Sequence, residues 1–288
     1  MSAKANGGRT TASNDMILDT LGLPAALTLE YYWEDVHFVP GEIIPNKFLE
    51  DDDDMRAALM RLRQATGLVR KAKSGWHIGI DVYEAVQEMT QEQAERLYRS
   101  EMIRQLFAGA MERYGVVTAK MIAELRRAHG VSEQEWQAVR ACWSDAELRM
   151  LSNGDGEILC HPVLENPEDI LHAWQLNGLS ACTMDADALR LSAEWLSGNA
   201  SVHLPAMDWL SRIGASPEDA AYILKSASLA MQGSCDAEDF LNDLCETLET
   251  DSLPEDARHM LVDLAERVPL WQYRGASIRE MNAMQREG

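Results

Sequence analysis

Several signatures by which soluble enzymes and membrane proteins announce themselves are missing from this sequence of 288 residues. No G-x-G-x-x-G or G-x-x-x-x-G-K-[ST] stretch is present to cradle a phosphate on backbone N–H groups. No G-x-S-x-G, S-x-x-K or H-E-x-x-H places a nucleophile or a metal in reach of a base. No apolar run approaches the ~18 residues of a membrane span, and the polar Met1–Asn14 segment lacks the apolar centre of a secretory leader. Cysteine is sparse: Cys142, Cys160, Cys182, Cys235 and Cys245 are odd in number and form no C-x-x-C pair. That pattern predicts reduced thiols in a cytoplasmic protein, packed mostly as small apolar residues. Positive charge is scarce too. Lys and Arg number 26 against 47 Asp and Glu, a net charge of −21.

The imbalance is uneven. Residues 1–150 carry 18 Lys+Arg against 23 Asp+Glu, and residues 151–288 carry 8 against 24, so the two stretches have net charges of −5 and −16. The second stretch should repel a phosphate backbone and could attract a basic partner; otherwise it is a solvated acidic surface. The sequence is 46% hydrophobic, enough for a real core, and its length predicts two or three compact units.

Helix and turn signals divide the chain. Residues 1–14 read as a disordered tail. Leu27–Pro40 is aromatic-rich and fits strand or helix, and Pro40, Gly41 and Pro45 break it. Asp51–Asp54 complement the dipole of a helix that Gly67 ends, and GLVRKAKSGWHIGIDV then reads as a β-hairpin about a Lys-Ser-Gly turn. Thr90 with Gln93 forms a capping box, Gly115 ends the helix that follows, and Thr118 caps the next. Gly130, with Ser132 and Glu135, gives helix–turn–helix spacing, and Asn153–Gly156 turns into the strand EILCHPVL. From Asn166 only helices are expected. Asn166-Pro167-Glu168 and Ser216-Pro217-Glu218 each set a capping side chain before Pro, and Asp236 and Pro254-Glu255 open two more helices. The predicted fold is mainly α with small β-hairpins: a winged-helix-like module over 15–85, a second over 86–175, and an acidic helical bundle over 176–288 whose VPLWQYRGASIREMN segment folds back.

Candidate chemistry is thin. Cys160-His161 and His172, with Cys142 and Cys182 nearby, lack the paired spacing of a zinc site. Glu34/His37, Asp169/His172 and Asp256/His259 are each three residues apart, so on helices each pair would share a face, but a di-iron site needs more carboxylates than these. No catalytic residue, metal or cofactor is expected. Nucleic-acid binding has one basic island, Arg61, Arg63, Arg70, Lys71 and Lys73, beside Trp76. The would-be recognition helix SEQEWQAVRACW instead offers Glu133 and Glu135 with one arginine, Arg140. Trp271, Tyr273 and Arg274 form a candidate partner-binding segment. Trp271 is expected to insert among helices, Arg274 to meet a carboxylate and Gly275 to supply an unusual backbone conformation.

YGVVTAKMIAEL, GDGEILCHPVLENPEDIL and PLWQYRGASIREMN together resemble a set of uncharacterised bacterial helical proteins that often carry a C-terminal SEC-C zinc tail. His161-Pro162, Asn166-Pro167-Glu168-Asp169 and Trp271…Arg274-Gly275 carry the likeness, over about residues 60–285. No C-x-C…C-H or C-x-C…C-C tail appears, so the resemblance implies helical modules and a regulatory or adaptor role but transfers no zinc site. The expected function is a non-catalytic adaptor that binds a protein partner, possibly a basic one. The alternative is a nucleic-acid-binding regulator that uses residues 61–77.

Overall fold

A computed structural model describes residues 12–49, 52–143, 149–153, 156–177, 186–197, 200–234 and 236–287. Cys182, Cys235 and residues 154–155 of the expected turn lie outside these residues. The chain is mainly helical, with 14 helices and two small antiparallel sheets among the described residues. No described helix is long and apolar enough to cross a membrane. Two compact units are present, and they are not consecutive segments: Met1–Ile103 with Glu133–Ser144, and Arg104–Ser132 with Asp145–Gly288.

The first unit opens with α1 (Asn14–Leu21) and α2 (Leu23–Glu34). Ser13 caps α1 by accepting a hydrogen bond from Met16, so the segment read as a tail already holds helical order at its end. The ambiguous aromatic stretch is helical as far as Glu34. Leu29, Tyr32 and Trp33 of α2 are buried, and Tyr32 donates to the Phe48 carbonyl at 2.6 Å. Because α2 ends at Glu34 and His37 takes a positive φ of 59°, Glu34 and His37 do not share a helix face.

Strand β1 (Ile43–Pro45) was not expected. It pairs with β3 (Gly75–Ile78), which also pairs with β2 (Val69–Ala72), giving the order β1-β3-β2. Between them lies α3 (Asp53–Thr66), capped by Asp52 through Met55 and closed by Gly67 at φ 69°. Its Leu59 and Leu62 meet Val69, Trp76 and Ile78 in the core, and α4 (Ile80–Gln87) adds Val82, Ala85 and Val86. The long helix α5 (Gln91–Tyr114) starts with the predicted capping box: Thr90 N–H donates to Gln93 at 2.8 Å, and Gln93 N–H donates back to the Thr90 hydroxyl at 3.3 Å.

The division between units falls inside α5, and it also places α6 (Ala119–Ala128) and α7 (Glu133–Cys142) in different units. In the second unit β4 (Val116–Val117), β5 (Arg149–Asn153) and β6 (Gly156–Cys160) form a sheet of order β4-β6-β5, the pattern of the first sheet. β6 stops at Cys160, so EILCHPVL is strand only in its first half. Cys160 is buried as a small apolar residue, as the sequence suggested, and burial raises its thiol to about 11.

Seven further helices follow: α8 (Pro167–Leu176), α9 (Ala186–Ser197), α10 (Leu204–Arg212), α11 (Pro217–Ser234), α12 (Ala237–Thr247), α13 (Glu255–Ala265) and α14 (Ile278–Glu287). Ser216 and Asp236 cap α11 and α12 with their side chains, whereas the Asn166 side chain makes no capping bond at α8. Leu210, Leu224, Met231, Phe240, Leu244, Leu261 and Leu264 close a single core.

Gly115 terminates α5 at φ 69°, and a Cβ there would lie 2.7 Å from the Trp271 ring. Gly130 ends α6 at φ 60° with open space around it. Gly130→Ala is therefore expected to cost about 1–2 kcal/mol of backbone strain. Gly115→Ala adds about 1–3 kcal/mol of overpacking to the same strain. Thermal denaturation of the two variants measures the difference, and equal melting would show that Trp271 does not sit against Gly115.

Candidate functional site

The basic island lies on α3 and the β2–β3 hairpin of the first unit. Its members separate. Arg61 is half-buried and its Nε donates to the Thr20 carbonyl at 3.4 Å. Trp76 is 2% exposed and belongs to the core, a correction to its reading as a nucleic-acid-binding residue. Arg63, Arg70, Lys71 and Lys73 are exposed. Arg70 pairs across the ladder with His77, and Lys71 pairs with Trp76, its ammonium 5.3 Å from the indole centroid. The hairpin tip is held from the side: Asn46 N–H donates to the Ser74 carbonyl and its side-chain amide to the Lys73 carbonyl, both at 3.2 Å.

In the second unit the sequence reading missed a buried polar cluster at the end of α5. The last four carbonyls of a helix have no partner within it. Here Met111 O accepts from Gly115 N–H at 2.7 Å, and Gly115 O accepts from His161 N–H at 2.8 Å. Glu112 O accepts two side-chain donors, Trp271 Nε1 at 2.9 Å and Gln232 Nε2 at 2.8 Å. Trp271 O in turn accepts from Trp174 Nε1 at 2.6 Å. The Glu112 carboxylate is 1% exposed and lies 3.1 Å from His161 Nε2. Val163 N–H points to His161 Nδ1 at 3.4 Å, which makes Nδ1 the acceptor and leaves Nε2 to donate to Glu112. With both ring nitrogens engaged and 5% exposure, His161 meets no substrate; the pair links α5 to the end of β6.

Trp271 lies at the centre of this cluster, 2% exposed, in the short 3₁₀ turn Trp271–Tyr273, and its ring is 5.1 Å from that of His161. The segment after the proline thus folds back into the second unit. Trp271 is an interior residue and offers no surface to a partner; Tyr273 and Arg274 are half-buried. The Arg274 guanidinium lies 5.1 Å from the Trp174 ring centroid. Arg274 and Gly275 both take positive φ, 54° and 74°, and a Cβ on Gly275 would meet the Arg113 carbonyl at 2.7 Å.

A surface groove of about 310 Å³ runs between α10 and α13 in the same unit. Leu204, Pro205, Trp209, Ala257 and Met260 line it, with Asp208, Asp256 and Arg212 as its charged members. Its tryptophan was not singled out from sequence, because the i, i+4 spacing of Pro205 and Trp209 reads equally as a core face, and Met260 reads there as part of its helix's apolar face. Among the described residues no group of three or more His, Cys, Asp or Glu could hold a metal ion. No family model, curated protein or solved structure matches the chain. Its function is therefore read from its own geometry.

Replacing Trp271 with Ala should cost about 3–5 kcal/mol. Trp271→Phe keeps most of the apolar contact but loses the indole donor and should cost about 1–3 kcal/mol. Thermal or urea denaturation gives both values, and a Trp271→Ala variant that unfolds with the parent would show the indole to be peripheral.

Proposed function

We propose that the protein is a non-catalytic regulatory or adaptor protein that acts through protein contacts, and that the α10–α13 groove receives a basic amphipathic helix of a partner. The groove carries this reading. Its floor is apolar, with Leu204 53% exposed and Trp209 half-buried, and an exposed apolar surface of this kind gains free energy when covered. Asp208 and Asp256 against Arg212 leave the groove one net negative charge, within a stretch that carries 24 acidic residues against 8 basic ones. A helix with Leu or Met on one face and Lys or Arg flanking it would complement both features.

The architecture agrees with this role. Each three-stranded sheet follows a helix and is ordered first-third-second, with helical turns or helices between its first and second strands. That order supports a winged-helix-like module over 15–85; over 86–175 the same order recurs, but its elements are divided between the two units, and an acidic helical bundle follows. Such modules serve as contact platforms as well as nucleic-acid readers.

A photo-crosslinking residue placed at Met260 of the full chain in its native host tests the reading. Adducts should form with proteins that share a basic amphipathic segment, and Asp208→Lys with Asp256→Lys should abolish them. Adducts unchanged by the double charge reversal, or peptides from the crosslink without basic character, would overturn it.

A further inference from the structure

We propose that the β2–β3 hairpin and the last turns of α3 bind the phosphate backbone of duplex DNA without reading its sequence. The first support is the distribution of charge. Residues 55–80 hold six basic side chains, Arg56, Arg61, Arg63, Arg70, Lys71 and Lys73, and no acidic one, in a chain where Asp and Glu outnumber Lys and Arg 47 to 26.

The second is that four of these six charges have no carboxylate partner among the described residues. Arg96, Arg99 and Arg258 are each tied to a carboxylate at 2.6–3.0 Å. Among the described residues Arg63, Arg70, Lys71 and Lys73 have no such partner, although all four are exposed. Self-neutralisation is cheap in so acidic a chain, so four unpaired cations on adjoining elements are available to an external polyanion.

The third is rigidity. Asn46 fastens the hairpin tip through two hydrogen bonds, and Gly75 packs so closely on the Ile44 carbonyl of β1 that a Cβ would collide with it. The ladder fixes Arg70 beside His77, and Lys71 rests on the Trp76 ring, so little side-chain and loop ordering remains to be done on binding.

The same residues select the ligand. A single strand is held by stacking successive bases on several exposed aromatics; Trp76 of the hairpin is buried, which leaves the exposed His77 imidazole as a single small ring. Base reading needs several amide or guanidinium groups on a groove-facing helix. The exposed part of α3 offers Met60, Arg63 and Gln64 after an acidic start. What remains is phosphate contact, which positions a protein on a duplex but carries no sequence information. Screening with a Debye length of about 8 Å at physiological salt weakens the repulsion from acids that are not in contact with the ligand.

The test is fluorescence anisotropy of the full-length protein with a short labelled duplex of arbitrary sequence, titrated over a range of salt. Four phosphate contacts predict a slope of log affinity against log salt of about −3.6, at ~0.9 for each contact. The Arg70→Ala/Lys71→Ala/Lys73→Ala variant should bind at least ~10-fold more weakly at low salt and bring the slope to about −0.9. The charge-keeping Arg70→Lys/Lys71→Arg/Lys73→Arg variant should bind like the parent, and equal melting of all three proteins secures the comparison. A scrambled duplex should bind as well as the first. The proposal is overturned if the duplex does not bind at low salt, if the alanine variant keeps the parent slope, if a single strand binds more tightly, or if only anionic phospholipid vesicles are bound.

Discussion

The C-terminal turn of α5 ends with carbonyl groups that its own helix cannot satisfy, and much of the second unit is arranged so that other elements supply the donors. An unpaired buried carbonyl costs about 1–3 kcal/mol, so the fold gains by sending side chains there from far along the chain. Gln232 comes from α11, Trp271 from the turn before α14, and the backbone N–H of His161 from the end of β6. The Glu112 carboxylate needs the same treatment and finds the His161 ring. Because Trp174 bonds the Trp271 carbonyl and Gly115 and Gly275 allow close approach, the indole is fixed on several sides at once. The C-terminal segment is thus part of the core of this unit.

Charge is sorted along the chain. Acidic residues dominate after residue 150, while residues 55–80 contain none. The hairpin whose cations lack carboxylate partners among the described residues belongs to the first unit, and the groove lined by Asp208, Asp256 and Arg212 to the second.

Local chemistry was legible in the sequence where a side chain and its target are close neighbours. Thr90/Gln93, Thr118 and the terminal Gly67 and Gly115 act as read, because caps depend on three or four residues only, and Asp52, read only for its charge at the helix start, also caps α3. β1 and β5 were missed for a physical reason: Ile43–Pro45 is too short to show a period of two, and Arg149–Asn153 is largely polar, so pairing with β3 and β6 rather than residue preference makes them strands. Glu112 lies off the apolar stripe formed by Phe107, Ala110, Met111 and Tyr114, and a lone glutamate there reads as solvated. Its burial depends on residues 49 to 159 positions away, which no local pattern encodes. The same distance hid the role of Gln232. Trp271 was legible because an aromatic-rich segment after a proline is hard to leave in water, whereas its two hydrogen-bond partners were not.

The central claim is that the Trp271 indole closes the core of the second unit by satisfying the end of α5. Native-state hydrogen exchange of the Trp271 and Trp174 indole N–H groups tests it most directly. Both should exchange only through the opening that also exposes the Gly115 amide, at the high end of the free energies measured across this unit. Indole exchange as fast as that of a solvent-exposed tryptophan, with the Gly115 amide still protected, would contradict it.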